Sequence, residues 1–151
     1  MKTPPQFDGS VDEWLARVQL AAAYRIFDFL GWSELIYNHI SLRVPGPENH
    51  FLINPFGLHY KEVKASNLVK VDVQGNIVGK SDWPINPAGF TFHGAIHEYC
   101  PDMHCVMHVH TTPTQAVCCL QDGLTFSNFY AAQLYGKIAY HEFEGITVHR
   151  E

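Results

Sequence analysis

The chain lacks any apolar run approaching the roughly 18 residues that a membrane-spanning helix requires. Its most apolar stretch, from Leu20 to Leu30, is interrupted by Arg25 and Asp28. The start of the chain, Met1-Lys2-Thr3-Pro4-Pro5, also lacks the apolar core of a secretory signal peptide. We therefore expect a soluble, cytoplasmic protein without a membrane partner.

Cysteine is scarce, and the basic residues form no cluster. The chain has four cysteines and a net charge of -5. The cysteines have neither the C-x-x-C spacing of a zinc finger nor the density of a disulfide-rich secreted domain, so we expect reduced, mostly buried thiols. Without a run of Lys or Arg, the charge pattern disfavours nucleic acid as a partner. The cysteines are Cys100, Cys105, Cys118 and Cys119.

Length and composition predict one globular domain. The chain has 151 residues, of which 46% are hydrophobic and 17% are charged. This length is near the usual size of a domain and is sufficient to bury a core. No internal repeat, low-complexity tract or linker divides the chain, so we expect residues 1–151 to form a single domain.

The early part of the chain predicts a long helix. Ser10 followed by Glu13 fits a capping box, ahead of a segment rich in Ala, Leu and aromatic residues. Gly31 suits the position just past a helix end, because glycine adopts the left-handed conformation at little cost. We therefore expect a helix that begins at Ser10 and ends at Gly31.

The rest of the chain alternates short extended segments with helical patterns. Gly75-Asn76 is typical of a turn between strands, and apolar residues recur at helical spacing from Phe92 to Tyr99. The pattern predicts helices on both sides of a mixed sheet, antiparallel in its first part. The expected strands are Ile40–Val44, Phe51–Asn54, Leu68–Val73 and Asp102–His110, and the further helices are Gly89–Tyr99 and Thr112–Leu120.

The strand expected over Asp102–His110 ends in two histidines separated by one residue. It shows no alternation of polar and apolar residues, which is typical of a central strand covered on both faces. Side chains at i and i+2 of a strand share a face and lie about 7 Å apart along the backbone. His108 and His110 are therefore suited to chelate a metal ion. The alternative is that they are polar strand ends that hydrogen-bond to their neighbours.

Five strings of residues occur in the order and spacing of a known family. They read Y-N-H-I-S-L-R from Tyr37, F-L-I-N-P-F-G from Phe51, L-V-K-V-D from Leu68, G-F-T-F-H from Gly89 and H-V-H-T from His108. On these strings the chain resembles the class II aldolase/adducin family, and it is most similar to the adducin-like branch. The resemblance covers nearly the whole chain, from the first helix to its last residue.

This resemblance implies a fold, an assembly and a metal. The fold is a three-layer α/β/α class II aldolase-like domain with a mostly antiparallel mixed central sheet, truncated at the C-terminus. Members often form homotetramers in which each site lies between neighbouring subunits. The sugar-phosphate aldolases hold zinc with the H-x-H pair, a later histidine and often a glutamate, which implies that His108 and His110 are zinc ligands.

The resemblance also implies substrate-binding and catalytic residues. Asn38 corresponds to an asparagine that positions the backbone of the phosphate-binding loop, and Gly57 to the small residue of the phosphate turn. Tyr130 corresponds best to a tyrosine donated across the subunit interface. The implied substrate is a small carbonyl compound. Zinc would polarise the carbonyl and stabilise the negative charge that is left when a neighbouring proton is removed.

Departures from the family pattern weaken parts of this interpretation. Gly89 occupies the position of the glutamate, and a glycine has no side chain to act as ligand or base. Pro87 and Ala88 replace hydroxyl residues that grip phosphate, so we expect a substrate without phosphate. The proton would then be moved by Tyr130, by a metal-bound hydroxide or by a residue of a neighbouring subunit.

The family's third histidine has no counterpart before the chain ends. His141 and His149 stand in the wrong context to replace it. Two ligands make a weak zinc site, because catalytic sites use three protein ligands. We therefore expect the natural protein to continue beyond Glu151.

Three other histidines permit two interpretations. His93 and His97 lie four residues apart, so they share a helix face and could chelate a metal, but we interpret them as hydrogen-bonding or packing residues. His39, beside Asn38, is interpreted as a hydrogen-bonded histidine near the site rather than as a ligand.

Two functional hypotheses from different classes remain open. The first is a zinc-dependent, aldolase-like lyase acting on a small hydroxy-carbonyl compound. The second is a non-catalytic, adducin-like scaffold or oligomerisation module with a vestigial metal site, which the glycine at position 89 favours.

Overall fold

The structure is a computed structural model that describes residues 3–4, 6–143 and 145–146. The expectations that rest on Met1, Lys2, Pro5, His149 and Glu151 concern residues outside this description. The described residues separate into two compact units, one reaching Val109 and including Ile146, the other within His110–Gly145. That residues 1–151 form a single domain stays a prediction.

Helix α1 spans Val11–Phe29 and begins at the predicted cap. The Ser10 hydroxyl accepts a hydrogen bond from the Glu13 amide at 3.0 Å. The Glu13 carboxylate accepts hydrogen bonds from Arg17 and Lys70, both at 2.9 Å. Because Lys70 belongs to the sheet, the same carboxylate that follows the cap also attaches the helix to the sheet.

Helix α1 ends just before Gly31, as predicted. Gly31 adopts a φ of 70°, in the left-handed region. The amides of Gly31 and Trp32 donate to the carbonyls of Asp28 and Phe27 at 3.1 and 2.9 Å. These two bonds form a Schellman motif, and the Trp32 ring meets the Phe27 ring edge-on at 5.2 Å, which supplies the apolar contact that accompanies this motif.

The sheet has four strands in the order β3-β2-β1-β4, and all of its described pairings are antiparallel. The register places Leu42 opposite Leu52 and His39 opposite His108. After the turn at Gly75, Ile77 returns to bridge Val71. The predicted mostly antiparallel sheet is confirmed. The strands are β1 His39–Arg43, β2 Phe51–Ile53, β3 Val69–Val71 and β4 Cys105–His108.

Strand β4 lies at an edge of the described sheet, and the prediction that it is central is wrong for this part of the chain. It pairs with β1, and no described strand lies beyond it. Met107 is 54% exposed as a result. The prediction rested on the absence of polar alternation, which is typical of burial on both faces. In the structure Cys105 and His108 are only half-buried.

Helices cover both faces of the sheet in the first unit. Helix α1 packs Leu20 and Tyr24 against Ile40 and Leu52 on one face. Helix α2, Pro87–Tyr99, places Phe90 with Phe51 on the other face. The α/β/α layering is confirmed.

Three shorter helices complete the described elements. They are a 3-10 helix at Tyr60–Glu62, α3 at Thr112–Cys118 and α4 at Phe129–Ala132. The 3-10 helix and α4 are too short to show a periodic pattern and were not predicted. None of the described helices is long and apolar enough to cross a membrane. All four cysteines are free thiols, but three of them are exposed and Cys105 is half-buried, so the prediction that they are mostly buried is wrong.

The Tyr24 hydroxyl joins α1 to two strands. It is completely buried. It donates to the Ile40 carbonyl at 2.6 Å and accepts from the Ile40 amide at 2.7 Å. It also contacts the Asn54 side chain at 2.9 Å. One oxygen therefore satisfies both backbone groups of Ile40, which pairs with β4 but lies beyond the residues of β1 that pair with β2.

Replacing Tyr24 with Phe should lower the free energy of unfolding by about 2 kcal/mol, because the Ile40 amide would be buried without an acceptor. Urea unfolding of the full natural chain measures this change. Tyr37→Phe is the matched control, since Tyr37 is 53% exposed and its change should stay within about 0.5 kcal/mol. Equal losses in the two variants would contradict the assigned role.

Candidate metal and substrate site

The buried face of α2 carries two histidines beside Phe90. His93 is 0% exposed and His97 is 2% exposed. Tyr99, which the sequence pattern placed on the apolar face of this helix, is 81% exposed. The helix was predicted correctly, but the expected apolar face from Phe92 to Tyr99 is not the face that packs on the sheet. The histidines are buried instead because β1 offers them hydrogen-bond partners.

These partners form a continuous chain of hydrogen bonds, which we call the histidine chain: His39, His93, Ser41 and His97. His39 Nδ1 lies 2.8 Å from His93 Nε2. The Ser41 hydroxyl lies 2.6 Å from His93 Nδ1 and 2.8 Å from His97 Nε2. His97 Nδ1 completes the chain at 3.1 Å from the Met103 carbonyl. The interpretation of His39, His93 and His97 as hydrogen-bonding residues is confirmed.

Burial keeps the two α2 histidines uncharged at neutral pH. Desolvation, reinforced by the neighbouring imidazoles of His39, His97 and His108, lowers the pKa of His93 to about 2. Desolvation also lowers the pKa of His97 to about 4, against the opposing effect of its hydrogen bond to Met103. Both groups are therefore neutral imidazoles, each with one donor and one acceptor nitrogen.

His39 connects this chain to the first of the predicted metal ligands. Its ring stacks on the His108 ring with centroids 4.7 Å apart and planes inclined by 11°. The Phe92 ring meets His108 at 5.2 Å and 60°. His108 is the last residue of β4 and is half-buried. Its imidazole thus lies against two rings of the first unit.

Gly89 makes room for His39. A Cβ atom at position 89 would lie 2.6 Å from both Cδ2 and Nε2 of His39, closer than real contacts allow. The His39 ring therefore occupies the space into which a side chain at position 89 would extend. The glycine is explained by this close approach.

Asn38 and Gly57 occupy different settings in the first unit. Asn38 is 1% exposed and donates from its amide to the Trp32 carbonyl at 2.7 Å. Its Oδ1 atom is buried without a hydrogen-bond partner among the described residues. Gly57 is exposed in the turn after β2, with a φ of 98° and open space where a Cβ would stand. Their assignment to substrate binding stays a prediction.

His110 and Tyr130 belong to the second unit. His110 is half-buried and precedes α3, and Tyr130 is 80% exposed in α4. The boundary between the two units therefore separates His108 from His110. Their joint role as metal ligands, and the catalytic role of Tyr130, stay predictions.

Among residues 3–4, 6–143 and 145–146, no group of three or more His, Cys, Asp or Glu side chains is arranged to hold a metal ion. Imidazole nitrogens are donors that zinc accepts, so the chemistry of His108 and His110 fits zinc. The number of ligands does not suffice, since a catalytic zinc site uses three protein ligands. The described residues thus fit part of a zinc site.

Ser41 is the functional residue that sequence reasoning missed. It is completely buried and joins the two helix histidines. The available signal was the alternation in β1, where His39 and Ser41 share one face while Ile40 and Leu42 share the other. A polar strand face combined with histidines spaced i and i+4 on a helix would have indicated that the two faces meet.

Lowering the pH from 7 to 5 should reduce the free energy of unfolding by about 2 kcal/mol for each of His93 and His97. Both folded-state pKa values lie below the ordinary value of 6.5, so the unfolded chain takes up protons first. The stabilisation that comes from burying His93 and His97 in their neutral forms is complete above about pH 6.5, and it is lost as the pH falls below that value. Urea unfolding at several pH values measures it, and His97→Asn should remove about half of the loss. An unchanged pH dependence in this variant would contradict the assignment.

Gly89→Ala should destabilise the natural protein but stabilise the His39→Ala variant. In the first case the new methyl group displaces the His39 ring. In the second case the clash is absent, and Ala is favoured over Gly in a helix by about 0.5–1 kcal/mol. Thermal or urea unfolding of the four proteins in this double-mutant cycle gives the sign in each background. If Gly89→Ala changed the free energy of unfolding in the same direction in both backgrounds, the His39 ring would not be what excludes a side chain at position 89.

A family model described as "Class II Aldolase and Adducin N-terminal domain" matches residues 18–150. Alpha-adducin of Rattus norvegicus is 50% identical over 141 residues, which cover 92% of this chain and 19% of that protein. The chain spans about half the length of the bacterial relatives it matches, for example 54% of one from Caulobacter vibrioides that is 48% identical.

Solved structures of the same fold superpose on this chain. An aldolase II superfamily protein from Pseudomonas syringae has a TM-score of 0.90 at 47% identity, covering 93% of this chain and 56% of its own. L-fuculose 1-phosphate aldolase from Glaciozyma antarctica PI12 has a TM-score of 0.78 at 30% identity, covering 89% and 55%. From its sequence and its fold, the chain belongs to the class II aldolase and adducin family.

Proposed function

We propose that this chain forms part of a zinc-dependent, aldolase-like lyase that acts on a small hydroxy-carbonyl compound. The observation that carries the proposal is the placement of His108 at the end of β4, where its ring lies against the hydrogen-bonded His39. A histidine packed between two rings is suited to serve as a ligand, and this packing supports the proposal. The similarity to a solved L-fuculose 1-phosphate aldolase supports the reaction class.

His108 and His110 would hold the zinc ion, together with a ligand outside the described residues. The zinc ion would supply Lewis-acid polarisation of the substrate carbonyl. The part of the site built by this chain would orient the substrate and exclude water on the side of α2. Phe92, which packs on His108, would contribute an apolar wall there.

Asn38 would serve the substrate site by holding the backbone next to it, through the hydrogen bond from its amide to the Trp32 carbonyl. Its Oδ1 atom is buried. Pro87 and Ala88 lack side-chain hydroxyls, which agrees with a substrate that carries no phosphate. Gly57 would keep the neighbouring turn open to such a substrate.

Proton transfer requires a group other than the missing glutamate. Tyr130 is proposed for this role, since its phenol carries a proton and its side chain is exposed. By family resemblance Tyr130 would serve the site of a neighbouring subunit, so this proposal requires a homo-oligomer. By family resemblance the oligomer would be a tetramer.

We also propose a cytoplasmic location. Four free thiols without a disulfide are compatible with a reducing compartment. The acidic net charge provides no attraction to nucleic acid.

The second candidate function is a non-catalytic, adducin-like scaffold or oligomerisation module. The 50% identity to alpha-adducin favours it, as does Gly89, which stands where the family resemblance places a catalytic glutamate. In this case the histidine pair is vestigial. Metal content distinguishes the two functions.

Elemental analysis of the full natural protein, purified without chelator, should find about one zinc ion per subunit. His108→Ala should abolish this binding and any retro-aldol or decarboxylase turnover, because it removes a ligand while leaving the fold in place.

His104→Ala is the matched control. His104 lies exposed just before the same strand, so its loss should leave the zinc content unchanged. A natural protein that contains no metal and takes up none when zinc is added would contradict the lyase and favour the scaffold.

A further inference from the structure

Helix α1 carries a second apolar stripe on the side that faces away from the sheet. Its inner side packs in the core through Ala16, Leu20, Tyr24 and Phe27. At 3.6 residues per turn, six other apolar residues fall within an arc of about 80°, centred about 160° from the core residues. No polar residue of the helix falls within this arc. We call these six residues the outer stripe: Val11, Leu15, Val18, Ala22, Ile26 and Phe29.

The outer stripe is exposed over most of its length. Phe29 is 88% exposed, Ile26 is 55% exposed and Leu15 is 42% exposed. Val18 is half-buried, and the other members are exposed. With roughly 150–250 Å² for a large side chain, the exposed parts of the stripe amount to on the order of 500 Å² of apolar surface. This area is at the upper end of the patches that monomeric proteins leave uncovered.

The direction of the outer stripe indicates what covers it. In a layered α/β/α domain the helices form the outer layers, so further elements of the same domain lie beside α1 rather than outside it. A helix that is apolar on opposite sides is normally buried on both of them. The outer stripe therefore fits the surface of another protein chain.

The spacing of the stripe fits a second copy that runs in the opposite direction. Successive members are 4, 3, 4, 4 and 3 residues apart, so the order of the gaps is nearly the same when it is read backwards. A two-fold axis at the middle of the helix therefore brings each member opposite another member. The pairs across this axis are Val11 with Phe29, Leu15 with Ile26, and Val18 with Ala22.

We propose that the outer stripe of α1 is a contact between two copies of this chain, in which the two helices pack antiparallel around a two-fold axis. Two stripes paired in this way bury about 1,000 Å² in total, the lower limit for a specific interface. The small side chains of Val18 and Ala22 meet at the centre, where they let the helix axes approach closely. The nearest charged residues, Asp12 and Arg25, lie at the borders of the stripe and are exposed, so no charge of the helix is buried there.

This contact involves no metal ion. It rests on the proposed function only for the existence of a homo-oligomer, to which it gives a defined surface. Because the contact is isologous, each substitution in the stripe enters it twice.

Ile26→Asp tests the contact in the full natural protein. Ile26 is more than half exposed, so the fold tolerates the change, but the two-fold axis places two carboxylates in the apolar contact. We expect the molar mass of the assembly, measured by light scattering at micromolar concentration, to fall to about half. The dissociation constant of the contact should rise at least about tenfold.

Ile77→Asp is the matched control. Ile77 is 43% exposed in the same compact unit as α1, but it lies outside the stripe. Its replacement adds the same charge to the surface. The molar mass of this variant should equal that of the natural protein.

A cross-link tests the direction of the helices. Positions 11 and 29 of one helix lie about 27 Å apart at 1.5 Å per residue, beyond the reach of a short bismaleimide. A protein that carries both Val11→Cys and Phe29→Cys should therefore link position 11 of one copy to position 29 of the other. Mass spectrometry of the linked peptides distinguishes this product from links through the four native thiols.

The outcomes separate this inference from the proposed function. A halved molar mass in Ile26→Asp but not in Ile77→Asp, together with links between positions 11 and 29, supports the contact. An unchanged mass in Ile26→Asp, an equal loss in both variants, or links only between like positions overturns the contact and leaves the homo-oligomer proposal standing. A monomeric natural protein overturns both, while the zinc content of the natural protein and of His108→Ala decides the lyase proposal separately.

Discussion

A single serine hydroxyl allows two neutral histidines to be buried beneath α2. A neutral imidazole has one nitrogen that donates and one that accepts, and both must be satisfied when it is buried. Ser41 accepts from His93 and donates to His97 at the same time. Without it, two ring nitrogens would be desolvated without partners, at a cost of about 1–3 kcal/mol each. The packing of α2 on the sheet depends on this pair of hydrogen bonds, which also lies beside His108 of the candidate site.

The candidate site and the fold share residues. Strand β1 carries His39 and Ser41 of the histidine chain, and it pairs with β4, which ends at His108. His39 lies opposite His108 in the register of β1 and β4, so stacking of their rings follows from the pairing. On the opposite face of β1, Ile40 belongs to the core under α1. One strand therefore presents an apolar face to α1 and a polar face to α2.

Local signals predicted the parts of the fold that local energetics control. The cap at Ser10 and the glycine at Gly31 bounded α1 because their hydrogen bonds connect residues three to five positions apart. The buried face of α2 was not predictable in this way. The apolar residues from Phe92 to Tyr99 and the pair His93 and His97 each have the spacing of one helix face. Periodicity alone cannot decide which of the two faces is buried. The choice depended on Ser41, which lies 52 positions before His93 in sequence.

From the sequence alone, the family strings determined the layered antiparallel fold, and the H-x-H spacing indicated a metal pair. Only the tertiary structure decided that β4 lies at an edge of the described sheet, that the histidines of α2 face β1, and that Gly89 accommodates the His39 ring. The physical reason is that hydrophobic and turn patterns record the preference of each segment. The burial of a polar group is decided by partners that folding brings from elsewhere in the chain.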